Sequence, residues 1–137
     1  MTLSAARRRS PAADTNRVVD EIFNEDEAAE MAKAGADIIV CHLGLTTGGS
    51  IGAETAMTLK DCPGIVDRWA EAALKVNKDA TILVHGGPVA MPDDASFVLQ
   101  NTQNCHGFYG ASSMERLPTE VAMTEQTRTF KSIRFKS

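Results

Sequence analysis

The chain has 137 residues, 43% of them hydrophobic and 23% charged, and 18 acidic against 14 basic side chains leave a formal charge of -4. Such a composition describes one folded domain and excludes disorder along the whole length. A negative balance gives no general attraction to nucleic acid or to an acidic membrane, and no apolar run nears the ~20 residues that cross a bilayer, so neither is an expected partner.

Residues 1–23 read as a leader, poorly ordered or holding a short helix around Val18, Val19 and Ile22. Arg7, Arg8 and Arg9 sit there among alanines and serines, too briefly for an organelle transit peptide, and a cytoplasmic location is expected. A domain is expected over residues 24–137. Asn24 with Glu27 three residues on is a capping signature, and Gly35 is a natural stop, which predicts a helix over about 25–34. Asp37 to Leu43 is a continuous, β-branched apolar run suited to a strand buried on both faces. After a glycine-rich loop from Gly44 to Gly52, Ile65, Val66, Trp69, Ala70, Ala73 and Val76 recur at helical spacing, with Pro63 in the first turn. Ala80 to His85 predicts a second strand, Pro92 to about Asn101 a helix, Gly107 to Gly110 a third strand, and Pro118 to about Ile133 a last helix.

Alternation of helices with continuous apolar strands means an α/β protein with a parallel sheet. Three strands are too few for a doubly wound sheet or a closed (β/α)8 barrel, which takes about 250 residues. Either the chain pairs with another copy, so that a homo-oligomer is expected, or it is the later part of a larger barrel.

Seven of the ten glycines lie in turns that leave the C-terminal end of a strand, where parallel α/β folds carry their ligand sites. In the first turn Thr46, Thr47, Gly48, Gly49 and Ser50 can converge amides and hydroxyls on an oxyanion; the alternative is a simple turn or lid. Gly86 and Gly87 of the second turn share this character, as do Gly110, Ser112, Ser113 and Arg116 of the third. Arg116 offers a bidentate cation for phosphate or carboxylate, or else a salt bridge to Glu115 or Glu120. His42 and His85 end neighbouring strands and suit general acid or base work or metal ligation, against the alternative of buried histidines bonded to backbone. Glu54 and Glu115 are the carboxylates near these turns, no spacing is specific for a metal, and none is expected. His106 precedes its strand and is expected to be structural. Cys41, Cys62 and Cys105, odd in number and without CxxC spacing, read as small buried thiols.

Three strings are more specific than any spacing: LTTGGSIG, HGGP and GFYGASSMERLP. With their surroundings, over residues 24 to 133, they resemble the C-terminal half of the phosphoenolpyruvate-hydrolase-like TIM-barrel family, which also supplies the C-terminal domain of plant virus-resistance proteins and fungal relatives. The resemblance implies that the three strands are the sixth to eighth of a (β/α)8 barrel. It further implies hydrolysis of, or C–P or P–O chemistry on, a small phosphorylated or phosphono carboxylic acid. In that setting the TTGGSIG loop would take a carboxylate or phosphoryl oxygen, HGGP and GASSMER the phosphate, and His42 or His85 would move a proton. Related lyase barrels hold Mg2+ on carboxylates of earlier strands, and no residue in this sequence replaces those ligands. Two further readings are a binding module without turnover and a truncated product without independent activity.

Overall fold

The computed structural model describes residues 17–50, 52–54 and 57–134. In chain order the elements are β1 (Val19–Ile22), α1 (Glu25–Ala34), β2 (Ile38–His42), α2 (Cys62–Val76), β3 (Thr81–His85), α3 (Pro92–Asn101), β4 (Gly107–Phe108) and α4 (Arg116–Lys131). The four strands form one parallel sheet in the order β1-β2-β3-β4. This α/β architecture is consistent with part of an α/β barrel.

The helices begin where their caps dictate. Asn24 Oδ1 accepts from the Glu27 N–H at 2.9 Å, and Glu27 Oε2 accepts from the Phe23 N–H at 2.8 Å, so two amides that α1 cannot satisfy are satisfied locally. At the other end Gly35 takes φ 97°, a left-handed value that lets its N–H reach the Ala32 carbonyl. α4 starts at Arg116, two residues before the expected start, because Pro118 falls within a first turn that needs no amide donor.

One expectation is corrected. Val18, Val19 and Ile22 do not form a short helix: residues 19–22 are β1, paired in parallel with β2 from Val19↔Ile38 to Ile22↔Cys41. Among the described residues the sheet therefore has four strands, not three. The expected leader loses its last residues to the sheet, and its arginines, Arg7 to Arg9, lie outside the described residues.

Strand periodicity sorts the sheet into two faces. Ile22, Ile39, Cys41, Ile82 and Val84 are fully buried, packed with Ala28, Val66, Ala70, Ala73 and Val98 of the helices. The opposite parity carries Glu21, Val40, His42, Leu83 and His85. β2 has Ile39, Val40 and Cys41 all buried, as a continuous apolar run requires. The second face is more open, with Val19 47% exposed. Ile39→Ala should accordingly cost about 2–5 kcal/mol of stability and Val19→Ala no more than about 0.5 kcal/mol. Urea unfolding measures both, and equal costs would contradict this assignment of faces.

Candidate functional site

Because β2 and β3 are parallel and in register, His42 lies directly beside His85 at the C-terminal end of the sheet. Their rings stand edge to face, centroids 4.8 Å apart at 79°. One residue past the pairs Ile22↔Cys41 and Val84↔Phe108, the row extends at both ends. Phe23 packs 4.8 Å from His42, and Tyr109 lies 5.4 Å from His85. Glu21, two residues before Phe23 on the same face, completes a cluster in which one carboxylate oxygen and one nitrogen of each imidazole lie within 4.8 Å of one another.

Hydrogen bonds decide where the protons are. The Gly44 N–H donates to His42 Nδ1 at 3.1 Å, so neutral His42 carries its proton on Nε2. His85 Nδ1 lies 2.6 Å from the Tyr109 carbonyl oxygen, which can only accept, so neutral His85 carries its proton on Nδ1 and its lone pair on Nε2. Burial first, and then the neighbouring His85, push the His42 pKa below the ordinary imidazole value. A neutral donor thus stands beside an acceptor.

This donor set does not fit the magnesium implied by the resemblance, since Mg2+ takes an octahedron of oxygens and two of the three groups are imidazoles. Nor is it poised for a transition metal: His42 Nδ1 is engaged by Gly44, which leaves an N–H rather than a lone pair on the other nitrogen.

The glycine turns after β2 and β3 are tied to each other. Thr47 donates to the Gly87 carbonyl from both its N–H, at 3.1 Å, and its hydroxyl, at 3.2 Å, while the Gly87 N–H donates to the Gly44 carbonyl at 2.7 Å. Gly86 at φ +74° passes so close to the Gly44 oxygen that a Cβ would collide with it. These glycines serve the approach of one turn to the other, and the Thr47 and Gly87 amides are already paired. Thr46 contributes its carbonyl, which accepts from the Ala53 N–H at 3.0 Å.

A second cluster joins the first turn to α4. Glu120 Oε1 accepts from the Ser50 N–H at 2.6 Å and Oε2 from Arg116 Nη1 at 3.1 Å, while Arg116 Nη2 donates to the Gly48 carbonyl at 2.9 Å. Gly49 takes φ +87°, and a Cβ there would stand 2.5 Å from Arg116 Nη1 and 2.7 Å from Glu120 Oε2. Hydrogen bonding from Ser50, its side chain first and then its backbone N–H, with Arg116 adding to it, holds the Glu120 carboxyl below the usual range. In the third turn the Ser112 carbonyl accepts from the Leu117 N–H at 2.9 Å. A Cβ on Gly110 would stand 2.5 Å from Met114 Cγ and 3.2 Å from Ser113 Oγ. The Ser112 carbonyl therefore braces the start of α4, and the bare Gly110 leaves room for Met114 and Ser113.

The structure thus groups His42 with His85, the first glycine turn with the second, and Gly48, Gly49 and Ser50 with Arg116. It adds Glu21, which sequence reasoning did not single out, and of the two open partners of Arg116 it selects Glu120. Glu21 carried no local signal, because its strand, half acidic, is set by pairing with β2, whereas Glu120 stands one helical turn after Arg116. His106 is structural, its Nδ1 accepting from the Ile82 N–H at 2.9 Å. Burial pushes the Cys41 thiol up to about 12 and the Cys62 thiol up to about 11, so neither offers a thiolate near neutrality.

Nitrogen-detected NMR should find His42 protonated on Nε2 with a pKa below 6.5, and His85→Gln should move that pKa upward. The sign for stability follows from linkage: as pH falls through 6.5 the unfolded chain takes up a proton that folded His42 resists, so stability falls, and His42→Gln removes this part of the acid loss. A His42 pKa above 6.5, or a proton on Nδ1, would contradict the assignment.

The family model for phosphoenolpyruvate hydrolase-like proteins matches residues 18–133. Two tomato (Solanum lycopersicum) proteins are similar over 111 residues: the ToMV susceptible protein tm-1(GCR26), at 55% identity, and the ToMV resistance protein Tm-1(GCR237), at 54%. Each match covers 81% of this chain and 15% of the tomato protein. A putative transcriptional regulatory protein, y4pA of Sinorhizobium fredii, is 30% identical over 107 residues, 78% of this chain and 17% of that protein. The chain therefore spans about one sixth of the length of these curated relatives. Over nearly all of its described length, from β1 to the end of α4, it belongs to the phosphoenolpyruvate hydrolase-like family.

Proposed function

We propose that the chain forms the C-terminal portion of a (β/α)8-barrel enzyme that acts on a small phosphorylated or phosphono carboxylic acid, with β1–β4 as the fifth to eighth strands. The observation that carries this reading is the pair of neighbouring imidazoles with opposite proton placement at the C-terminal end of a parallel sheet. In a hydrolysis, His85 Nε2 takes a proton from water as its oxygen bonds to phosphorus. The bond from phosphorus to the leaving oxygen or carbon breaks, and the proton passes from His85 Nε2 to the leaving atom while His42 Nε2–H donates a hydrogen bond to it, so both rings end neutral. Arg116 and the Ser50 amide supply donors for a carboxylate or phosphoryl oxygen.

A second reading, a module that binds without turnover, is favoured by the names of the relatives, which speak of susceptibility, resistance and transcriptional regulation rather than of a reaction.

In a full-length protein carrying this segment, His42→Gln and His85→Gln should each lower kcat for phosphoenolpyruvate or phosphonopyruvate by about 10²–10⁴-fold with little change in KM. Unchanged turnover in both variants would remove the proton-transfer roles. Binding of either acid without turnover in the parent protein would establish the second reading instead.

A further inference from the structure

We infer that Glu120 is a built-in occupant of the oxyanion site formed by the Ser50 N–H and Arg116, and that a ligand carboxylate or phosphate binds by displacing it; this rests on the reading that the rim takes a small anionic acid.

A guanidinium facing the amide of a glycine-rich turn is a carboxylate or phosphate receptor by its chemistry. In this chain the receptor is filled, one Glu120 oxygen on the amide and the other on the guanidinium. The side chains of Arg116 and Glu120 are only 24% and 27% exposed, so the contact is half-enclosed rather than a loose surface pair. Arg116 does not depend on Glu120 for its position, because its second terminal nitrogen holds the Gly48 carbonyl. When Glu120 swings away, the guanidinium and the turn can stay in place. Glu120 is also free to leave, since it reaches the receptor from the first turns of α4 at the wall of a shallow depression that Ser50, Glu115, Arg116, Thr119 and Met123 also line. With Glu115 beside it, the depression is acidic while Glu120 is in place. An incoming anion is therefore repelled until that carboxylate moves, and the vacated amide and guanidinium then match a ligand oxyanion of the same size and charge.

The competing account is a clamp: Glu120 merely pins the first glycine turn to α4. The two accounts differ in sign. With inorganic phosphate as probe and the complete chain titrated by calorimetry, Glu120→Gln and Glu120→Ala should both bind at least about tenfold tighter than the parent, the scale on which a coupling between two sites is felt. Arg116→Gln should abolish binding in either background, with circular dichroism melts recorded for every variant. Weaker or unchanged binding by both Glu120 variants, in a parent that does bind phosphate, overturns the inference and leaves the anion-binding reading standing. Absence of binding in the parent and in folded Glu120 variants alike overturns both. Binding that survives Arg116→Gln places the anion elsewhere and overturns the inference.

Discussion

Parallel pairing of β2 with β3 is the constraint from which the rim follows. With Ile38 opposite Thr81 and His42 opposite His85, every second residue of both strands faces the helices, and those residues are aliphatic or cysteine. The remaining residues face the other way, and the last of them are the two imidazoles. A shift of one residue would drive His42 into the apolar layer under α1 and α2 and expose Cys41 in its place, at the cost of burying a polar ring and of the contacts that Cys41 loses. Burial on one face thus specifies the chemistry on the other.

Much of the rim's donor capacity is spent internally. Thr47 and Gly87 serve each other's turns, Gly44 serves His42, and Ser50 and Arg116 serve Glu120. This explains why glycine crowds these turns: the closest approaches to Gly49 and Gly86 come from the protein's own atoms. A turn pinned by its own hydrogen bonds is preorganised, and a bond that is replaced by a ligand, rather than newly made, costs little ordering entropy.

The helices and three of the strands were legible because their signals are local. Caps at Asn24 and Gly35, the apolar stripe through Val66, Trp69 and Ala73, and continuous runs such as Ile38 to Cys41 need no knowledge of distant partners. β1 lacked such a signal. It has four residues, two of them acids, and its only fully buried side chain is Ile22, so its state is set by β2 and not by its own composition. Missing that strand also hid Glu21. The nearness of His42 to His85 was readable from strand order, but their proton placement was not, since it depends on the Gly44 amide and the Tyr109 carbonyl. Arg116 was read with both a ligand and a salt bridge open; the structure makes the salt bridge to Glu120.

The central claim is the register that sets the two imidazoles side by side, and ring-to-ring nuclear Overhauser effects in the complete chain test it most directly. Cross-peaks between the ring protons of His42 and His85, together with contacts from His42 to Phe23 and from His85 to Tyr109, are the predicted result. Their absence, with His42 ring protons instead in contact with Val66 or Ala70 of α2, would contradict the account.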